Sequence, residues 1–372
     1  MQKGGAFVLR PRIKQVHQPL ALPGGRILIG GTQFGVAQEI QDDEDGAVER
    51  VLVLMDGTRS VEQMCTEFGE THPHVDEECV REVVQALTDS GFVEDAGADP
   101  PANLSAREVA RYAPPRHFFS WIDTTARSSP YDIQSAIKSA RVTVLGVGGT
   151  GSAVASGLVV GGIGALHVAD FDRVEESNLT RQLLYSEAEI GKPKVTSAVA
   201  RLRAMNSNVE VTGSEVRADG AESIVALMEG CDVFVLCADE PLPDLMRWVD
   251  QAARRTRTPW FMSLYTGPMT VVGSFVPGET ACWNCLYKAE MQREHHAEGR
   301  PLSQGGRPNA VNAAGANISG QLCALDIQYH LAGLPVQTRG RVFHWNLARW
   351  DHSYAVEATP APDCPACTAV PR

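Results

Sequence analysis

The chain has 372 residues, of which 44% are hydrophobic and 21% charged, a balance typical of a globular protein with room for roughly two or three domains. Its formal net charge of −12 argues against a sequence-independent electrostatic grip on DNA or RNA, whereas a basic peptide partner is compatible with it. We therefore expect no nucleic-acid partner.

The sequence predicts neither export nor a membrane span. Residues 1–17 lack the uninterrupted apolar core of a signal peptide. The most apolar stretch, residues 153–169, is short, rich in glycine and interrupted by Ser156 and His167. The nine cysteines, four of them in two C-x-x-C pairs, suit a reducing compartment. We expect a cytoplasmic protein without a membrane partner.

Residues 1–95 are predicted to form a small separate domain. Short strands at 26–30 and 34–40 precede three helices, the second capped by Ser60 and the third covering residues 76–90. Residues 96–115, rich in Ala, Pro and Asp, are interpreted as a linker. The main domain is expected to cover residues 116–372.

The N-terminal segment has the element order of a winged helix. This order, with the sequence of residues 54–61 and the ending at 87–93, resembles the PqqD-like, winged-helix-type α+β domain that binds leader segments of ribosomally made peptides. The resemblance implies a peptide that adds as a strand to the sheet edge. One alternative is a winged helix that only packs on the main domain. A nucleic-acid-binding winged helix is disfavoured by the acidic loop at 42–45.

A glycine-rich turn between two strands carries the strongest functional signal. The predicted strands are 142–145 and 165–169, and between them a helix begins near Ser152. Glycines let the backbone approach a phosphate, a helix N-terminus attracts it, and an acidic residue after the second strand can hold ribose hydroxyls. The candidate residues are Gly146, Gly148, Gly149, Gly151 and Asp170. Alone, they predict a Rossmann-like nucleotide site or, alternatively, tight helix–strand packing without a ligand.

More polar side chains follow, namely Asp172, Asn178, Arg181, Gln182 and Lys194. A dehydrogenase has no need of two further cations here, whereas an enzyme that breaks a triphosphate must neutralise charge on the transferring phosphorus. Arg181 and Lys194 are the candidates for that role, while Gln182 could simply be solvated. Asp239, at the end of a predicted strand at 232–238, could hold Mg²⁺ or cap the next helix.

Four motifs together define a family resemblance. They are G-x-G-G-x-G-S at 146–152, D-x-D at 170–172, S-N-L-x-R-Q at 177–182 and G-x-P-K at 191–194. The combination resembles the adenylating domain shared by ThiF, MoeB and the ubiquitin-activating enzymes. Three stretches, 178–187, 238–249 and 276–285, are similar to the branch that adenylates the C-terminus of the microcin C precursor peptide.

The resemblance implies a Rossmann-like mixed sheet, ATP and Mg²⁺ as cofactors, and a homodimer. It implies catalytic roles for Arg181, Lys194 and Asp239, the last as the magnesium ligand. The remaining nucleotide contacts would come from the glycine turn and from Asp170, Asp172, Asn178 and Gln182. It also implies that an arginine before the glycine-rich strand reaches the nucleotide of the partner protomer, for which Arg116 is the candidate.

Two cysteine pairs, Cys282 with Cys285 and Cys364 with Cys367, predict a metal site. Four thiolates form a closed tetrahedral structural zinc site, which would pin the C-terminal segment to the body of the domain. Redox pairs are the alternative, but neither pair has a thioredoxin-like context. Cys323 is expected to be a small core residue.

We predict an ATP-dependent adenylyltransferase that activates a carboxylate, expected to be the C-terminal one, of a ribosomally synthesised precursor peptide. The first alternative is an activating enzyme for a sulfur-carrier or ubiquitin-like protein, which would have no need of the N-terminal domain. The second is a non-catalytic scaffold that binds a leader peptide for a partner enzyme. The complete charged set around the glycine turn weighs against a scaffold.

Overall fold

The computed structural model describes residues 9–31, 35–241, 244–294 and 310–368. Two compact units divide the chain, Met1–Ala136 and Ile137–Arg372. The first unit contains β1 (Pro11–Ile13), β2 (Leu20–Leu22), β3 (Arg26–Ile29), β4 (Gln38–Gln41), α1 (Ala47–Leu54), α2 (Val61–Thr71), α3 (Glu78–Asp89), β5 (Val93–Asp95), α4 (Ala106–Arg111) and α5 (Ala113–Ile122). Strands β2, β3 and β4 form one antiparallel sheet, and β1 pairs with β5.

The three helices α1 to α3 close a small core because each carries one apolar face. Val51, Met64, Phe68 and Val80 are fully buried in it. Helix α2 begins as predicted, with the Ser60 side chain accepting from the backbone N–H of Gln63 in a capping box. The prediction of a small N-terminal α+β unit is confirmed.

Two boundaries differ from the predictions. The strand expected at 34–40 is shorter, because Gly35 has a positive φ of 78° and β4 begins only at Gln38; residues 32–34 lie outside the described part of the chain. The stretch 96–115 contains helix α4, which begins with a capping box of Ser105 and Glu108. Good capping residues therefore give local order to a segment whose composition predicted a linker.

Helix α6 (Asp132–Ser139) crosses the sequence boundary between the units. The second unit continues with β6 (Arg141–Leu145), α7 (Gly149–Val160), β7 (Ala165–Ala169), α8 (Lys194–Met205), β8 (Glu210–Ser214), α9 (Ala221–Met228), β9 (Val233–Leu236), α10 (Asp244–Thr256), β10 (Trp260–Thr266), β11 (Met269–Phe275), α11 (Trp283–Glu294), α12 (Ala313–Ala332), β12 (Arg341–Asn346), β13 (Ser353–Glu357) and α13 (Pro365–Thr368).

One eight-stranded mixed sheet organises the second unit, in the order β13-β12-β11-β10-β9-β6-β7-β8. The five strands from β10 to β8 in this order are parallel, and β10 to β13 are joined by antiparallel pairing. Since the chain moves from β6 to β7 and β8 and then returns to β9 on the other side of β6, the carboxyl ends of β6, β7 and β9 meet at a topological switch point. The predicted Rossmann-like mixed sheet is confirmed.

The central strands are buried on both faces, which explains their continuous apolar runs. Successive residues of β9 enter different cores: Val233 and Val235 pack with Val154 and Leu158 of α7, whereas Phe234 belongs to the core that contains α9 and α10. Among the described residues, none of the helices is both long enough and apolar enough to cross a bilayer.

Candidate active site

A cavity of about 420 Å³ opens at the switch point of the sheet. The register aligns Leu145 with Ala169 and with Leu236, so the residues that follow these three strands come together. The predicted site residues that line the cavity are Gly146, Gly148, Gly149, Asp170, Asp172, Asn178, Arg181, Gln182, Lys194 and Asp239. The fold thus brings together side chains that are spread over more than ninety residues of sequence.

The glycines of the turn serve two different purposes: some leave open space in the cavity for a ligand, and others allow tight packing of the backbone. Helix α7 begins at Gly149, three residues earlier than predicted, with Gly148 as its N-cap. Gly146 has a φ of 89°, and a side chain there would also collide with the backbone of Ala238. A Cβ at Gly151 would overlap the carbonyl oxygen of Gly146. Gly151 is not a cavity-lining residue, so its place in the motif reflects helix–strand packing.

A matched pair of substitutions separates these purposes. Gly151→Ala should lower the free energy of unfolding by about 3 kcal/mol, because the methyl group overpacks the turn. Gly148→Ala should lower it by only about 1 kcal/mol, because a Cβ there meets nothing closer than the Gln182 side chain at 3.7 Å and the remaining cost is that of alanine at an N-cap. It should still weaken nucleotide binding, since Gly148 lines the cavity. Denaturant unfolding and nucleotide titration of both variants check this, and equal stability of the two would contradict it.

The turn is held in place by side chains from three separate segments of the chain. Asp170, 7% exposed, accepts the backbone N–H groups of Val147 and Asp172, both at 2.8 Å. The Val147 carbonyl accepts the hydroxyl groups of Ser152 at 2.9 Å and Tyr185 at 2.8 Å. Burial, with the nearby Asp170 carboxylate, raises the pKa of Tyr185, so its phenol remains a donor. Asp170 keeps lone pairs for further donors such as ribose hydroxyls.

Lys194 reaches the cavity because two loop segments pair with each other. Arg173 and Pro193 form an isolated antiparallel bridge, and the Lys194 backbone N–H donates to the Asp172 carbonyl at 2.9 Å. The Lys194 side chain is 7% exposed, and its Nζ lies 2.9 Å from Asp172 Oδ2. This pairing presents a nearly buried ammonium group at the cavity wall.

Arg181 and Gln182 present buried polar atoms that lack partners. Within the described residues, Arg181 Nε and Gln182 Oε1 have no hydrogen-bond partner. Arg181 Nη1 donates to the Ser177 carbonyl at 3.0 Å, and the side chain lies against Gly149. Both residues line the cavity, although these two atoms are themselves buried. Unpaired buried polar atoms are costly, so a polar ligand that reached them would be favourable. Asn178 shapes this segment, since its Oδ1 accepts the Glu175 backbone N–H at 3.1 Å.

The charge balance of the cavity favours a cation together with an anionic ligand. Its lining includes five carboxylates, Asp170, Asp172, Glu175, Asp239 and Glu240, against three cations, Arg173, Arg181 and Lys194. Asp239 is exposed and makes no hydrogen bond within the described residues, and α10 begins five residues after it, at Asp244. A triphosphate in this lining would need Mg²⁺, for which an unpaired carboxylate is a suitable ligand.

Several residues of the site were not predicted. Phe171 and Tyr265 line the cavity, and the Arg217 guanidinium lies 4.9 Å from the centre of the Phe171 ring. Asn317 of α12 donates to the Arg181 carbonyl at 3.2 Å. An aromatic residue after a strand and an amide more than a hundred residues away carry no local signal, so only the fold reveals them.

Arg116 lies in the first unit, on α5. Its guanidinium is 5.0 Å from the centre of the Tyr131 ring. Its predicted contact concerns the nucleotide of a partner protomer and stays a prediction.

The four cysteines of the two C-x-x-C pairs form a cluster, and none of them lines the cavity. The Sγ atoms of Cys282 and Cys364 are 3.5 Å apart and those of Cys285 and Cys367 are 3.8 Å apart. Four sulfurs about 2.3 Å from a zinc ion would be separated by about 3.8 Å, so the cluster matches a tetrahedral site. Burial would raise the pKa of Cys364, but hydrogen bonds from the Cys367 backbone and from Cys282 lower it to about 7. The cluster could hold a metal ion.

Residues 123–366 match the ThiF family over more than half of the chain. The chain belongs to the ThiF family. The curated relatives of this ThiF-family chain include the sulfur carrier protein ThiS adenylyltransferase of Bacillus subtilis, 38% identical over 158 residues, which are 42% of this chain and 46% of the relative. The molybdopterin-synthase adenylyltransferase of Escherichia coli is 37% identical over 138 residues, 37% of this chain and 52% of the relative. The chain thus spans about half the length of these relatives.

Solved structures match this ThiF-family chain over nearly its whole length. E. coli MccB has a TM-score of 0.76 at 20% identity and covers 96% of this chain and 97% of its own. A structure of MccB with ATP has a TM-score of 0.74 at 22% identity, covering 96% of this chain and 100% of its own. PaaA has a TM-score of 0.72 at 24% identity, and the match covers 94% of this chain and 100% of the PaaA chain. At these identities the likeness concerns the fold, and it includes the small N-terminal unit.

Proposed function

We propose that the chain is an ATP-dependent adenylyltransferase that activates a carboxylate of a ribosomally synthesised precursor peptide. One observation carries the proposal: the cavity gathers the glycine turn, Asp170, Arg181, Lys194 and Asp239 around one space. The family supports adenylation, because the curated relatives are adenylyltransferases. The peptide substrate is supported by the fold of MccB, which has been solved in complex with MccA.

The proposed reaction transfers the AMP moiety to a carboxylate. A carboxylate oxygen forms a bond to the α-phosphorus, the bond between that phosphorus and the oxygen bridging to the β-phosphorus breaks, and pyrophosphate leaves. No general base is needed, because a carboxylate is already ionised at neutral pH. Asp170 would accept the ribose hydroxyls, and the α7 N-terminus would face phosphate oxygens. Arg181 and Lys194 would stabilise charge that develops on the phosphoryl oxygens.

Two metals fit the residues present. Asp239 would hold Mg²⁺, which when bound offsets the negative charge of the triphosphate. Cys282, Cys285, Cys364 and Cys367 would hold zinc in a structural role, because four thiolates leave no open position. None of the nine cysteines, all of which lie in the described part of the chain, forms a disulfide, which supports a cytoplasmic location.

The small N-terminal unit is the proposed peptide-binding domain. Strands β2 and β4 are the outer strands of its sheet, so each has an edge that can pair with an added strand. We further propose a homodimer, because the family resemblance implies one. In that assembly Arg116 would contact the nucleotide of the partner protomer.

The second candidate function is activation of a sulfur-carrier protein, which the curated relatives favour. Both functions begin with the same adenylation, and they differ in the acceptor. Cys237 is the cysteine that lines the cavity, and burial raises its pKa to about 12. A protonated thiol is a poor nucleophile, so the described residues place no reactive thiolate at this site.

The test is release of pyrophosphate from MgATP by the full-length chain with different acceptors. We expect release with a peptide encoded by a short reading frame beside the gene. The same peptide bearing a C-terminal amide should give no release if the C-terminal carboxylate is the acceptor, whereas release with both would place the reaction on a side-chain carboxylate. Release only with a carrier protein ending in Gly-Gly would select the second candidate. No release with any carboxylate acceptor would refute both, and the mass change of the modified peptide would identify the product.

A further inference from the structure

A buried ion pair lies on α10, beside the four-cysteine cluster. The Nε of Arg254 is 2.9 Å from Oδ2 of Asp250, and both side chains are 9% exposed. Burying two charges costs several kcal/mol per ion unless their remaining polar atoms find partners. Other atoms of this pair do find partners, and these partners are backbone groups in the two turns that carry the cysteines.

Each member of the pair bonds to a different cysteine turn. Arg254 Nη1 donates to the carbonyl of Ala366, which lies between Cys364 and Cys367. Asp250 Oδ1 accepts the backbone N–H of Trp283, the residue after Cys282, at 3.2 Å. The pair therefore connects two turns whose cysteines are 82 residues apart in sequence.

The two charges should have opposite effects on a metal-bound cluster. The Arg254 guanidinium reaches the Cys364 turn through the Ala366 carbonyl. The Asp250 carboxylate lies against the Cys282 turn through the backbone N–H of Trp283. Four thiolates around a divalent ion leave a net charge of −2 in a poorly hydrated site, so a buried cation beside them is favourable and a buried carboxylate is not.

We propose that Arg254 is a positioning residue of a zinc site at the four cysteines, with Asp250 orienting its guanidinium. Arg254 would hold the Cys364 turn in place through the Ala366 carbonyl and offset the charge of the thiolates. This inference rests on the proposed zinc ion. It assigns a role in metal affinity to a helix that carries none of the cysteines of the cluster.

Zinc affinity of the full-length chain, measured by competition with a chromogenic chelator, tests the proposal. Arg254→Met should weaken zinc binding by about 10- to 100-fold, the usual cost of losing an outer partner of a metal ligand. Arg255→Met is the matched control, because Arg255 is the next residue on the helix, is 45% exposed and pairs with Glu222. Its zinc affinity should equal that of the unchanged chain.

A second substitution separates charge from packing. Asp250→Asn keeps an acceptor for Trp283 and removes the repulsion, so it should cost less affinity than Arg254→Met. The double variant should bind zinc more tightly than Arg254→Met alone, because it no longer buries an unpaired carboxylate beside Cys282. Because the two residues are in contact, some coupling is expected in any case, so the direction of the change decides. A double variant that binds zinc no more tightly than Arg254→Met would overturn the proposal.

The outcomes distinguish this inference from the zinc proposal itself. If the unchanged chain binds no zinc, both fail. If it binds zinc and Arg254→Met binds as tightly as Arg255→Met, only this inference fails. If Arg254→Met does not fold, Arg254→Lys decides, because it keeps the charge with fewer donors. A zinc affinity weaker than that of the unchanged chain by less than about 10-fold supports the role, and an unchanged affinity overturns it.

Discussion

Replacing Arg181 with alanine should lower the turnover number for pyrophosphate release by about 10²-fold or more. The guanidinium borders the cavity beside Gly149, with a buried Nε that has no partner within the described residues. A preorganised charge of this kind acts mainly on the transition state, so turnover should fall more than the apparent affinity for ATP. Steady-state kinetics with varied MgATP checks both quantities.

The matched control is Arg201→Ala. Arg201 is exposed on α8, twenty residues further along the chain, and is not among the cavity-lining residues. It should keep full turnover. Thermal unfolding of both variants separates chemistry from folding. Turnover of the Arg181 variant within twofold of the control would remove Arg181 from the proposed mechanism.

Replacing Cys282 with serine should abolish stoichiometric zinc and lower the melting temperature by roughly 10 °C. Cys282 is fully buried, and metal binding of about 10 kcal/mol or more can be coupled to folding in four-ligand sites. A loss of a few kcal/mol shifts the melting temperature of a unit of this size by several degrees. Metal analysis and calorimetry measure the two effects.

Cys79→Ser serves as the control, because Cys79 lies in the first unit outside the cluster. It should keep both the metal and the melting temperature. A strong chelator should destabilise the unchanged chain and leave the Cys282 variant unaffected. Equal destabilisation of both by the chelator would mean that the metal is held elsewhere.

The sequence predicted the parts of the site that depend on local pattern. The strands at 142–145 and 165–169 could be predicted because each is a short apolar run bounded by turn residues. Asp170 and the glycines follow from their spacing to those strands. The two cysteine pairs could be matched because tetrahedral metal sites need four ligands, and the structure brings their sulfurs together.

The unpredicted parts depend on contacts between distant residues. Nothing near Lys194 in sequence indicates that Asp172 will be its partner, since that contact requires the bridge between Arg173 and Pro193. Likewise, Asn317 reaches the Arg181 carbonyl only because α12 lies close to α7, where Gly320 meets Ala153. Such tertiary contacts produce no hydrophobic periodicity or local motif from which the sequence could predict them.

The bridge between Arg173 and Pro193 has a consequence for how substrates are bound. Because this pairing and the Asp172 carboxylate already immobilise the Lys194 side chain, little rotamer entropy remains to be lost when a phosphate arrives. More of the binding energy is then available for the reacting groups themselves. Weakening the bridge would therefore raise the entropic cost of reaching the transition state, although every charged residue of the site would still be present.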